Sequence, residues 1–529
     1  MEFRYAISVV LNAHLPFVRE YSKEDWGYIK GEEVRYFEYV SETLLPLLET
    51  LHRLETDHVH FRLGLAISPV LFHMLGDEHL QTKYITYVDK QIELGQREIE
   101  RTANNSQLNK LAKIYYDKIV DRRITFTERY EKNLLKAFDY YRRKGKVEIL
   151  GSCATHAFLP FLGHNQESLQ AQMETPIAGY RRHFGSPQGF WLPNLGWTAA
   201  IEPYLRAYNY TYTIVESHGL LFGNPAPEKG CFYPVKTPNG TFILGRDKNI
   251  IREIDKITYD AAYRNNNRDV GYELPPETVK QFLTADGGRS KTGYKYWAGS
   301  ENGQNVIYNP EAAAEKLSGY TRVFLENTIE RLEEVSKNME ETPISLLTQT
   351  CEYFGHLWHE GPQFLEGLFR MAGGYRDLGF VCPSEYIFKQ NISALQTVEP
   401  HYSSCGTHGY AETWLDVSND WIYRHLYRAM ERMTELAERF PDDTGLKERA
   451  LNQAAREILL AQSSDWPALL YRQDSTEYAR NQAESALRNF TTIYEALGSN
   501  YISTEWLTTL ERKHNIFPQI NYRVFNKKK

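Results

Sequence analysis

The chain has 529 residues, of which 42% are apolar and 13% aromatic, and carries a net charge of -7; this supports a sizeable core and roughly two to four domains, fewer if a barrel absorbs much of the length. Beyond Lys527-Lys528-Lys529 there is no basic cluster, which excludes the electrostatic footprint of a nucleic-acid binder, and no window approaches a membrane span. The five cysteines, Cys153, Cys231, Cys351, Cys382 and Cys405, are odd in number, scattered and without metal-finger spacing, so free thiols in a reducing compartment, the cytoplasm by default, are expected.

The opening apolar run lacks the length and cleavage site of a signal peptide and reads as a buried first strand over 5–11. A helix is predicted around 36–54, a strand over 61–67, and long helical patterns through 101 and over 114–143. Further strand-like runs cover 147–150, 189–192, 212–215 and 344–347, and polar motifs follow them. Strands alternating with crossover helices predict parallel pairing and an α/β fold, with functional side chains at the carboxyl ends of the strands. Spacing alone also allows an open sheet. The turns Asn224-Pro225-Ala226-Pro227 and Thr237-Pro238-Asn239-Gly240 mark about 198–256 as a small inserted subdomain.

From about residue 401 the pattern becomes helical. Trp421, Ile422, Leu426, Ala429, Met430, Met433, Leu436 and Ala437 form a stripe that Phe440-Pro441-Asp442-Asp443 stops. Helices follow over 451–462 and 477–497. The chain thus divides into 1–400 and an α-helical C-terminal domain, 401–529.

The motifs are specific. Trp191-Leu192-Pro193-Asn194 resembles the Trp-Leu-Pro-Glu motif of glycoside hydrolase family 57, whose Glu is the nucleophile; Asn194 stands in its place. Leu11-Asn12-Ala13-His14-Leu15-Pro16-Phe17-Val18-Arg19 is similar to the His-x-His-x-Pro-Tyr-Val-Arg opening of the family's 1,4-α-glucan branching enzymes, with Asn12 for the first His. The run from Glu148 to His156 resembles a strand ending in a site His, and the runs Val215 to His218 and Tyr263 to Gly271 resemble segments between the catalytic motifs. Gln349-Thr350-Cys351-Glu352-Tyr353-Phe354-Gly355-His356-Leu357-Trp358 resembles Phe-Asp-x-Glu-Leu-Phe-Gly-His-Trp-Trp, and Thr350 falls on the general acid/base Asp. Three aromatic positions also differ, where Ala262, Leu357 and Cys405 replace tryptophans. The run Leu459 to Trp466 resembles the branching enzymes' C-terminal domain.

The resemblance implies an incomplete (β/α)7 barrel with the inserted subdomain and the helical C-terminal domain. In branching enzymes the inserted region carries a long mobile loop over the site, shortened here, which weakens the exclusion of water. It also implies that both halves of the mechanism are missing. A retaining glycosidase needs two carboxyl groups about 5 Å apart; an amide is no nucleophile, and a Thr hydroxyl is too weak an acid to protonate a glycosidic oxygen.

His156 and His356 follow apolar strands in motif contexts, which favours the pocket over the core for both. Trp191 and Trp358 read equally as wall, core or sugar platform. Trp414 is the better platform, and Trp414 and Asp465 match positions of the glucan cleft. Together with His14 these form the expected sugar-binding set. Glu352 and Asp269 read first as ion-pair residues, and with Glu216 they are the carboxylates a relocated mechanism would recruit. A His14/His156/Asp269/His356 zinc site suits the ligand types, but no compact motif supports it, so neither metal nor cofactor is expected. The leading expectation is a catalytically silent relative of a branching enzyme that binds α-glucan or oligosaccharide, or regulates a protein of glycogen metabolism. The alternatives are an active glycoside hydrolase or branching glycosyltransferase with relocated carboxylates, and a scaffold with a vestigial pocket.

Overall fold

The computed structural model describes residues 3–19, 31–284, 287–299 and 305–527. Met1 and Glu2 of the opening run, and Lys528 and Lys529 of the basic tail, lie outside them.

Among the described residues nine strands form: β1 Tyr5–Ala13, β2 Leu63–Ile67, β3 Val147–Leu150, β4 Gly189–Phe190, β5 Tyr212–Val215, β6 Val235–Lys236, β7 Phe242–Gly245, β8 Ile344–Thr350 and β9 Leu378–Phe380. All nine residues of β1 are buried, as an apolar strand covered on both faces requires. One sheet runs β3-β2-β1-β8, with β9 also pairing β1, and a second runs β4-β5-β7-β6. Apart from the antiparallel β6–β7 pair, every ladder is parallel.

The two sheets meet at two narrow seams. A parallel bridge joins Gly151 to Phe190, and the Asp247 amide donates to the Leu346 carbonyl at 3.0 Å. The strands β8, β1, β2, β3, β4, β5 and β7 therefore follow one another in a circuit whose ladder is not continuous, an incomplete barrel. Residues 198–256, expected as an inserted subdomain, carry β5 and β7 of this circuit together with β6. The segment is woven into the sheet and does not stand apart from it.

Register places the motifs side by side. In the β1–β8 ladder Asn12 lies opposite Thr350, and on the other edge of β1 it lies opposite Ala66. The predicted helix around 36–54 forms as Gly31–Tyr39 and Leu45–Thr56, joined by a π-helical turn over Val40–Leu44. Such turns insert one extra residue and re-aim the side chains around them. Here the buried carboxylates Glu38 and Glu42 sit on this stretch.

The C-terminal region folds as helices Trp421–Arg439, Leu446–Ala461, Asp465–Arg472, Thr476–Gly498 and Thr504–Lys513. The predicted stripe is buried from Ile422 to Ala437, with Trp421 only half-buried at its start. These helices dock on the segment that follows β3: Gln172 Nε2, in the helix Gln166–Glu174, donates to Gln462 Oε1 at 2.7 Å, and the Ser464 amide faces the His156 carbonyl at 3.4 Å. The five cysteines are free thiols. No helix of the described residues is long and apolar enough to cross a membrane.

A candidate sugar-binding cleft at the strand ends

A cleft of about 430 Å³ opens between the carboxyl ends of the strands and the C-terminal helices. His14, His156, Trp191, Asn194, Thr350, Glu352 and Asp465 all line it. These residues come from five segments that meet only in the folded chain.

Two stacked histidines form its floor. The His14 and His156 rings lie 3.8 Å apart and within 4° of parallel. His14 Nε2 donates to the Asp465 carboxylate at 3.0 Å, and its Nδ1 lies 2.8 Å from Ser68 Oγ. Asn12 Nδ2 donates to His156 Nε2 at 3.2 Å. On the other side of the ring, His156 Nδ1 faces Ser464 Oγ at 3.3 Å. Burial holds His156 well below the ordinary histidine range, hence neutral. Against its own burial, which would raise it, Asp465 is held down to about 2 chiefly by His14. A neutral imidazole and an ionised carboxylate at one point suit the hydroxyls of a sugar, which both donate and accept.

Asn194 and Thr350 share this cleft. Asn194 sits in a left-handed turn at φ 57°, a conformation Asn adopts at low cost. Its amide donates to Ser464 Oγ at 2.9 Å. Thr350 ends β8. Glu352, two residues on, belongs to an ion network. Arg35 grips it with two bonds of 3.2 Å, and His356 bridges it at 2.9 Å to Glu38 at 3.1 Å. The turn that presents His356 needs Gly355, whose φ is 130° and whose added Cβ would lie 1.9 Å from the Glu42 carbonyl.

Burial alone would lower the His356 pKa, yet bonds to two carboxylates raise it to about 9, while Glu352, with Arg35 as its main counterion, is lowered to about 2. A raised histidine contributes stability that is complete below its unfolded value and lost as pH rises through its folded value. Stability to denaturant is therefore expected to fall between about pH 6.5 and 9. In His356→Gln that slope should flatten. Urea titrations across the window test this, and an unchanged slope in the variant would contradict it.

Other expected site residues lie away from the cleft lining. Trp414, 1% exposed, stacks on Phe158 at 4.8 Å in the interior. Trp358, 2% exposed, packs among Tyr353, Phe354 and Phe364. Neither tryptophan presents a face on which a ring could stack. Asp269 is fully buried and ties Gly271, Thr292 and Gly293 together. Glu216 is buried behind Arg246, to which it pairs at 2.6 Å. His356 stands behind Glu352 rather than on the surface of the cleft.

For the same reason the imagined His14/His156/Asp269/His356 metal set does not assemble. The ligand atoms of His14, His156 and Asp465 do lie within 4.8 Å of one another. In the folded chain they spend that proximity on ring stacking and a hydrogen bond. Sequence reading missed the cleft residues Arg35, Arg246, Ser464 and Arg472. Arg246 had a signal, because it follows the apolar run of β7 just as the motif residues follow theirs. Arg35 and Arg472 lie on helix faces and had none.

Comparison with known proteins bears on the fold and the family. Residues 8–399 match the model of glycosyl hydrolase family 57, and residues 425–525 match that of the 1,4-alpha-glucan branching enzyme C-terminal domain. A 1,4-alpha-glucan branching enzyme of Thermococcus kodakarensis is 26% identical over 513 residues, 92% of this chain and 72% of that protein. The crystal structure of the alpha-amylase AmyC from Thermotoga maritima superposes with a TM-score of 0.91 and 32% identity, covering 100% of both chains. That of a branching enzyme from Pyrococcus horikoshii gives 0.87 and 25%, covering 99% of this chain and 97% of the other.

Proposed function

The chain belongs to glycosyl hydrolase family 57 and carries a branching-enzyme-like C-terminal region, and on that premise we propose that it is a catalytically silent relative of the branching enzymes that binds α-glucan or an oligosaccharide. The observation that carries the reading is the side chemistry of the cleft: where the resemblance expects a nucleophile and a general acid, the lining presents the amide of Asn194 and the hydroxyl of Thr350. The polar floor of His14, His156 and Asp465 remains in place for sugar hydroxyls. Losing a nucleophile from a coupled catalytic unit costs on the order of 10^4 to 10^6 in rate. Regulation of a glycogen-metabolising partner, in the cytoplasm, is the physiological use this reading suggests.

Relocated chemistry has less support. Asp269 and Glu216 are committed to structural bonds, and Glu352, held near 2 by Arg35 against its burial, is no proton donor near neutral pH. A paired assay separates the readings: purified protein is incubated with amylose, iodine absorbance and reducing ends are followed, and binding is measured by calorimetry. Binding without turnover is expected, weakened at least about tenfold in Asp465→Ala, where a charged hydrogen-bonding group on the floor is lost. Branch formation or hydrolysis abolished by Glu352→Gln or Asp269→Asn would sink the silent reading.

A further inference from the structure

Charge is not evenly matched along the cleft. Every carboxylate lining it is engaged: Glu352 by Arg35 and His356, Asp465 by His14 and the Ser463 hydroxyl at 2.7 Å, and Asp474 by Arg35 at 3.8 Å. Of the arginines opposite, Arg472 is unpaired among the described residues and Arg246 is only partly satisfied. Arg472, in the last turn of the helix Asp465–Arg472, is exposed, and its guanidinium makes no hydrogen bond or ion pair among the described residues. Arg246 gives Nη1 to Glu216 at 2.6 Å and Nη2 to the Thr348 carbonyl at 3.3 Å, which leaves Nε buried without a partner. The Thr348 hydroxyl beside it is also buried and unpartnered.

Cys405 lines the same cleft as Arg246 and Arg472. Its amide donates to the Asn194 carbonyl at 2.8 Å, which fixes it against the Asn194 turn. Burial, then Glu216, push its thiol up to about 12, while Arg246 and Arg472 both pull the other way. Asn194 and Thr350 add no negative charge there.

We propose that this wall, Arg246, Cys405 and Arg472 beside Asn194, receives the phosphate group of a phosphorylated α-glucan or hexose, so that the ligand of the cleft is an acidic sugar. The proposal deepens the sugar-binding reading above and rests on it. Guanidinium forks match phosphate oxygens in pairs and make charge-assisted bonds about twice as strong as neutral ones. A sugar hydroxyl accepts from a guanidinium N–H as a neutral partner, so only an acidic ligand gains the charge-assisted bonds to Arg472 and Arg246. Glutamate and aspartate in place of Asn194 and Thr350 would repel the same phosphate, so the neutrality of these two residues is what admits it.

The test is calorimetry on the full chain with glucose, glucose 6-phosphate, inorganic phosphate, glucuronate and maltohexaose, at low salt and at about 0.3 M, where charge attraction is screened. Glucose 6-phosphate is expected to bind at least tenfold more tightly than glucose, with the advantage shrinking in salt and disappearing in Arg472→Gln. Because Arg472 is exposed, that variant should melt at the wild-type temperature, which separates lost binding from lost folding. Equal affinity for glucose and its 6-phosphate would overturn the proposal, as would inorganic phosphate or glucuronate binding as tightly as glucose 6-phosphate. If maltohexaose binds while the phosphate gives no advantage, the sugar-binding reading stands and this inference falls. If neither maltohexaose nor glucose 6-phosphate binds, both fall.

Discussion

Asn194→Glu combined with Thr350→Asp is expected to raise amylose turnover from background by about 10^2 to 10^4, a part of what an intact nucleophile and acid supply together. Both side chains already line the cleft, so the new carboxyl groups would enter it without moving the backbone. Thr350 ends β8 opposite Asn12, at a strand end that tolerates Asp. Asn194 is the harder position. Its left-handed φ of 57° suits Asn, and a Glu there pays roughly 1–2 kcal/mol, while the bond from its amide to Ser464 is lost. Each single variant should stay near background, because attack and protonation are two halves of one displacement. Iodine absorbance and reducing-end assays on the three variants check this. A double variant with no more turnover than the parent would show that the residues at positions 194 and 350 do not by themselves limit turnover.

Removing one buried carboxylate should cost more stability than any change on the surface. Glu42 pairs Arg264 at 2.7 Å and Lys295 at 3.3 Å, and the side chains of both cations are almost wholly out of solvent. In Glu42→Ala two buried positive charges lose their main counterion, and breaking such a pair costs about 3–5 kcal/mol. Arg264 keeps Asn266 and Lys295 keeps Glu38 at 3.5 Å, so the lower half of that range is expected. By contrast Lys337→Ala, which breaks an exposed pair with Glu334, should leave the denaturant midpoint essentially unchanged. Denaturant midpoints and slopes for the two variants provide the comparison. A loss below about 1 kcal/mol in Glu42→Ala would mean that water or a rearranged Glu38 carries the charge.

The Glu42 network also shows where sequence reading reached its limit. Strands and motif positions were legible because local patterns dictate them: the unbroken apolar run of β1, the polar residues that follow β3 and β8, and the stripe from Ile422 to Ala437 each announce their place. Side-chain roles were less legible. Trp414 and Trp358 carry the chemistry of a sugar platform, yet burying a large apolar surface stabilises them more in the core, and only packing decides which use prevails. Asp269 sits in a motif, but its oxygens close a turn.

By itself the sequence determined the alternation of strand and helix, the helical C-terminal region, and the amide and hydroxyl that stand at Asn194 and Thr350, because these depend on neighbours within a few residues or on residue identity alone. Only the tertiary structure decided that 198–256 belongs to the strand circuit, that His14, His156 and Asp465 share one floor across 451 positions of chain, and that Arg246, Cys405 and Arg472 line one cleft. Those are contacts between distant segments, set by strand register and by the docking of the C-terminal helices, and no local pattern encodes them.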